Sequence, residues 1–168
     1  HTISGAKITG DFCWDGSVYG SKEGWGLFSV LDGATVKNVK LDDEVFASYT
    51  VISGGVAGYA NDTTFENIDI TNTKIAGYNW YTGGVVGWAQ GYCTFKDINL
   101  INIKANNPEN NRASALIGYF SAGSVSGVSV RNLELKGYQK LAGIIANLSP
   151  DASNNKEILV KDCVVENI

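Results

Sequence analysis

Apolar residues in this chain come in short bursts that return at a nearly fixed interval. Gly26-Leu27-Phe28-Ser29, Gly55-Val56-Ala57-Gly58, Gly84-Val85-Val86-Gly87, Ala115-Leu116-Ile117-Gly118 and Gly143-Ile144-Ile145-Ala146 all read small, apolar, apolar, small, and their starts lie 29, 29, 31 and 28 residues apart. A second block follows each: Val36-Lys37-Asn38-Val39-Lys40-Leu41, Phe65-Glu66-Asn67-Ile68-Asp69-Ile70, Phe95-Lys96-Asp97-Ile98-Asn99-Leu100 and Val125-Ser126-Gly127-Val128-Ser129-Val130. Val160-Lys161-Asp162-Cys163-Val164-Val165 is a fifth copy, delayed by a polar insert. A third apolar piece, such as Val45-Phe46 or Ile75-Ala76, closes several copies.

Within the second block the apolar residues alternate, with one residue slipped in the middle, which is the period of a strand broken by a corner. The slip falls on Asn38, Asn67, Asp97, Gly127 and Asp162, and on Gly5 when Ile3-Ser4-Gly5-Ala6-Lys7-Ile8 is aligned as an opening copy. These residue types enter the left-handed backbone region at least cost, so a bend is predicted in every copy. A helix would also bring the flanking apolar positions together, but β-branched enrichment and a central Gly, Asn or Asp oppose it.

Repeats of this length predict an all-β chain folded as a parallel β-helix (β-solenoid), with about five coils of roughly 29–30 residues and about three short strands per coil. A four-stranded propeller blade needs more chain than that. Coils spaced by about 4.8 Å, the distance between paired strands, would stack into a short rod. The expected organisation is a single domain over residues 1–168. It divides into a partial coil at 1–8, a loop or cap at 9–25, regular repeats at 26–148, a polar insert at 149–155 and a last strand block at 156–168. Methionine is absent even at position 1 and the pattern starts mid-repeat, so a segment of a longer protein is expected.

Charge and composition narrow the function. A formal net charge of -4 offers no footprint for a phosphate backbone, so nucleic acid is not an expected partner. No apolar run reaches the roughly 20 residues of a membrane span, and no membrane insertion is expected. One histidine and three scattered cysteines argue against structural zinc and against histidine-dependent catalysis, and neither metal nor cofactor is expected. Asp42-Asp43-Glu44 lacks the spacing of a calcium loop and reads as a solvated turn. Lys37, Glu66, Lys96, Ser126 and Lys161 share one column, and their mixed signs predict charge pairing between coils on a solvent face. Cys163 falls in an apolar column, whereas Cys13 and Cys93 read as loop residues too far apart for a disulfide.

Aromatic residues are the best candidates for binding. Tyr59, Trp88 and Tyr119 occupy one column in consecutive copies, so stacking the coils would line them up. Facing solvent, such a ladder would offer flat rings to a sugar or to a partner chain; facing inward, it would brace the coils. A second group, Tyr78, Trp80 and Tyr81, with Tyr49 and Tyr138 in comparable places, lies ahead of the glycine blocks. Loops on a rigid scaffold are common binding positions, although the same rings would also serve as packing against the flank. No constellation of catalytic groups is apparent.

Gly54-Gly55-Val56-Ala57-Gly58-Tyr59 and Gly83-Gly84-Val85-Val86-Gly87-Trp88, each followed by Thr-Phe-Glu/Lys-Asn/Asp-Ile, resemble the GLUG motif of bacterial secreted and surface proteins. The likeness covers residues 1 to about 148 and is best in copies two and three. It implies a bacterial protein, secreted or at the cell surface, in which the solenoid is a non-catalytic adhesin-like or stalk module binding glycan or a host or microbial surface protein. Related repeats accompany immunoglobulin-A-cleaving metallopeptidases, so a purely structural spacer attached to a peptidase is one alternative. A β-helical polysaccharide lyase or hydrolase is the other. The motif is structural and transfers no catalytic residue; the oligomeric state stays open.

Overall fold

A computed structural model of the chain describes residues 2–10, 24–48, 52–76, 80–107, 112–150 and 157–168. The chain opens with β1 (Thr2–Ser4) and β2 (Lys7–Gly10), followed by β3 (Phe28–Asp32), β4 (Thr35–Asp42) and β5 (Val45–Ser48). The next coil holds β6 (Ile52–Gly54), β7 (Ala57–Asn61), β8 (Thr64–Thr71) and β9 (Lys74–Ala76). Then come β10 (Tyr81–Gly83), β11 (Val86–Gln90) and the long β12 (Cys93–Asn107), and after them β13 (Arg112–Ser114), β14 (Ile117–Phe120) and β15 (Gly123–Gly137). β16 (Lys140–Ala142), β17 (Ile145–Leu148), β18 (Ile158–Lys161) and β19 (Val164–Glu166) complete the order.

Each coil visits the same three sheets, and every strand pairing is parallel, as a β-solenoid requires. One sheet runs β6-β10-β13-β16 and a second runs β3-β7-β11-β14-β17. The third is the wall, built from β4, β8, β12 and β15 with their continuations. The repeat read from the sequence is therefore the rung of the ladder: Phe65 pairs with Val36 and Phe95, and Phe95 with Val125.

The predicted bend is present, with φ near +55° at Asn38, Asn67, Asp97 and Asp162 and +63° at Gly127. These residues lie one above another, and the Asn67 amide Nδ2 donates to Asn38 Oδ1 at 2.7 Å. Gly5 does not belong to that column. Ser4 pairs with Asp42 and the Gly5 N–H donates to the Asp42 carbonyl, which places Gly5 at a second corner. That corner repeats as Asp43, Asn72, Asn102, Asn132 and Asn167, all at positive φ. From Asn72 onward it carries an amide ladder, each Nδ2 donating to Oδ1 of the preceding rung at 2.8–3.1 Å. The apolar spacing on the two sides of the corners is alike, so the opening fragment could be slid along the repeat without changing its pattern.

Inside the coils, three wall columns fill the core: Val36, Phe65, Phe95 and Val125; Val39, Ile68, Ile98 and Val128; Leu41, Ile70, Leu100 and Val130. Volume is shared across the interior. Phe65 and Phe95 stack at 4.9 Å where the opposite sheet supplies Ala60 and Ala89; one rung on, the wall shrinks to Val125 and the opposite sheet supplies Phe120. In these three rungs one large ring faces a smaller side chain, as close packing requires.

The glycine blocks act where the two short sheets turn back on each other. A Cβ built on Gly87 would come within 2.8 Å of the Ser53 backbone, and one on Gly84 would overlap the Ala115 carbonyl. Gly87 thus sits at a backbone contact between the two short sheets, and Gly84 at one between successive rungs.

Two expectations need correction. Cys93 is not a loop residue; it opens β12, is fully buried, and its thiol lies 3.1 Å from the Gln90 carbonyl oxygen. Cys13, residues 11–23 of the expected loop or cap and residues 151–156 lie outside the described residues. Nor is Asp42-Asp43-Glu44 uniformly solvated. Asp42 accepts bonds from Thr71 and Asn72, Asp43 forms the corner, and Glu44 turns inward at 1% exposure, its carboxylate facing the Ala6 backbone.

Candidate functional site

The corner between the two short sheets places Tyr81 of β10 and Trp88 of β11 on one flank, and stacking adds Tyr59 from the coil before and Tyr119 from the coil after. The ladder expected from the sequence exists: Trp88 pairs with both Tyr59 and Tyr119. Its rings are not parallel plates. Tyr59 and Trp88 lie 6.4 Å apart at 57°, Trp88 and Tyr119 4.8 Å apart at 47°. Tyr59 is buried, while Trp88 and Tyr119 are half-buried, so their edges reach the surface.

The two aromatic groups singled out in the sequence form one cluster. Tyr81 packs edge-on against Trp88 at 5.4 Å and Tyr119 at 5.1 Å, and Trp80 meets Tyr81 at 6.2 Å. Tyr81 is a strand residue at 7% exposure and not a loop platform. Tyr78 and Tyr49 lie outside the described residues, and Tyr138 is well exposed, on the turn before β16.

Polar partners join from neighbouring rungs. Arg112 pairs with Tyr81 in the ladder, sets its guanidinium 5.0 Å from the ring centroid and donates from Nη1 to the phenol oxygen at 2.8 Å. Burial pushes the Tyr81 phenol above its ordinary range, a shift the Arg112 charge opposes. Tyr59 donates to Gln90 Oε1 at 2.9 Å, and one rung beyond Arg112 the Lys140 ammonium donates to Asn147 Oδ1 at 2.9 Å. Two buried donors, Trp88 Nε1 and Arg112 Nε, have no hydrogen-bond acceptor among the described residues. A buried donor without a partner costs about 1–3 kcal/mol.

Sequence reasoning missed Arg112, Gln90, Lys140 and Asn147. A signal was present: Arg112 occupies the register position of Tyr81, but it is visible only when the strand ahead of each glycine block is aligned as carefully as the block itself. The wall carries the expected charge pairing, with Glu66 between Lys37 at 2.6 Å and Lys96 at 3.0 Å, and the two cations hold its carboxyl at about 2.

Among the described residues no three His, Cys, Asp or Glu side chains converge as metal ligands. Comparison with protein-family models, curated proteins and solved structures returns no match.

Proposed function

We propose that this solenoid is a non-catalytic recognition module of a bacterial secreted or surface protein and that it binds glycan through the aromatic flank. One observation carries the reading: Tyr59, Trp80, Tyr81, Trp88 and Tyr119 converge on one side of the ladder, with the half-buried Trp88, Tyr119 and Arg112 reaching the surface there. Sugars combine apolar C–H faces, which lie against aromatic rings, with hydroxyl and ring oxygens that accept from indole and guanidinium donors. The fold supports this use because parallel pairing fixes each flank residue one strand spacing from the next. The resemblance of the glycine blocks to the GLUG motif supports the extracellular setting.

A glycan array on the wild-type chain, followed by titration of the best glycan, tests the reading. Trp88→Ala and Arg112→Gln are expected to weaken binding at least tenfold. A bound glycan whose affinity is unchanged in both Trp80→Ala and Trp88→Ala, or an array without binding, would sink it.

A further inference from the structure

The aromatic flank changes its chemistry along the solenoid axis. Rings fill its middle coils, with Tyr59 first, then Tyr81 and Trp88, then Tyr119. The same register then runs from Tyr81 to Arg112 and Lys140, and from Tyr119 to Asn147. Towards the last coil the surface therefore passes from aromatic to basic. Arg112 is half-buried and Lys140 exposed. Of the guanidinium nitrogens, Nη1 is engaged by the Tyr81 phenol and Nε is buried, which leaves Nη2 to meet a ligand.

These two cations lack the partners that others in the molecule have. On the wall, Lys37 and Lys96 meet Glu66, Lys104 meets Glu134 and Arg131 meets Glu166, each across one rung at 2.6–3.1 Å. Among the described residues neither Arg112 nor Lys140 forms a salt bridge. Arg112 is directed at the Tyr81 ring and phenol oxygen, and Lys140 donates to a neutral amide. The strands of the two short sheets contain a single acidic residue, Asp32. It lies in β3, separated from β14 by β7 and β11, and accepts a bond from Asn61.

Arg112 and Lys140 are also direct register partners on neighbouring strands. Like charges placed opposite each other across a ladder are unfavourable, and an anion set between them replaces one repulsion with two attractions. Resting on the reading of this flank as a glycan site, we propose that the glycan it takes is acidic. Its sugar rings lie against Trp88 and Tyr119, and its carboxylate or sulfate group lies at the end formed by Arg112 and Lys140. The rings hold the apolar sugar face and give no preference for charge; the basic end supplies that preference. Ammonium and guanidinium groups are donors only, which suits carboxylate and sulfate oxygens alike.

The test uses the whole chain and two matched pairs of glycans: oligogalacturonate with its methyl ester, and a sulfated galactan with its desulfated form. In at least one pair the acidic member is expected to bind at least tenfold more tightly than its neutral partner, an advantage that shrinks as salt rises. Which pair shows it distinguishes carboxylate from sulfate. Lys140→Glu is expected to lower the affinity for that acid at least tenfold more than the affinity for its neutral partner, whereas a misfolded variant lowers both alike. Equal affinity for the acidic and neutral members of both pairs, or binding to none of the four, overturns the proposal. So does a Lys140→Glu chain of unchanged melting temperature that keeps the full preference for the acid. Trp88→Ala distinguishes this failure from that of the underlying reading. Neutral glycans that bind as well as acids and are lost in Trp88→Ala leave the aromatic flank standing and remove its acidity; acid binding that Trp88→Ala leaves unchanged overturns the ring contact itself.

Discussion

On the wall built from β4, β8, β12 and β15, the inward and corner stations keep their chemistry from rung to rung: Ile68 lies beside Ile98 and Asn102 beside Asn132. On the flank built from the short sheets, the station changes at each rung: Ile52 gives way to Tyr81, then Arg112, then Lys140, and beside them Tyr59 is followed by Trp88, Tyr119 and Asn147. The same backbone ladder supports both. Stacking asks only that each side chain fit its neighbours one strand spacing away, and repeated residues meet that demand most simply. Departures from repetition that form no pairing between rungs therefore mark positions where something other than stacking has shaped the chain.

Mutation is expected to separate the two regions. The largest effect belongs to the wall's interior: Phe95→Ala opens a cavity beneath Phe65 and beside Phe120 and should cost about 3–5 kcal/mol in a denaturant melt. Trp88→Ala, at a half-buried ring, should cost clearly less while reducing glycan binding. An equal stability loss at both would erase the distinction.

Next comes Glu44, where a single rung breaks the rule of its column. Its register mates Thr73, Ile103 and Leu133 are all buried, and burial holds its carboxyl above the ordinary value of 4.5. A raised carboxyl binds its proton more tightly when folded, so stability is greatest at acid pH. It falls as pH rises from about 4.5 through the folded pKa, and is flat beyond. Glu44→Leu should abolish that slope and raise stability at neutral pH by about 1–3 kcal/mol. A melting temperature that drops at every pH would refute it.

The corner ladder should give a smaller change. Asn102 sits at φ +57° with its amide bonded up and down the column, so Asn102→Ala should cost about 1–2 kcal/mol. Asn102→Gly, which relieves the backbone and loses only the amide bonds, should cost less. A reversal of that order would show that the amides outweigh the conformation.

Smallest is the exposed charge pair. With Glu66 at about 2 when folded and 4.5 as its ordinary value, its contribution is present above about 4.5 and disappears as pH falls through about 2. Glu66→Gln should flatten the acid limb of the stability profile and change little at pH 7. A profile identical to wild type between those limits would mean that the pairs with Lys37 and Lys96 do not persist in solution.

How far the chain could be read follows from the same contrast. Asn38, Asn67 and Asp97 announced their corner because a left-handed bend admits few residue types and the spacing repeats. The second corner was overlooked because Asp43 and Asn72 lie in polar turns, where such residues need no special explanation. Trp88 and Tyr119 were recognised as a column, but the union of that column with Tyr81 was not foreseen. It depends on how sharply the chain reverses at Gly84-Val85, and that is set by contact between two backbones.

Sequence alone was sufficient for the parallel coil, its repeat length and the core columns, since each follows from periodicity and from short-range backbone preference. Tertiary structure decided that Glu44 is buried, that Arg112 lies over Tyr81 and that Lys140 joins Arg112 at the end of the ring cluster. Those facts arise from where unlike residues of different coils meet, and a repeat constrains only the residues that are alike.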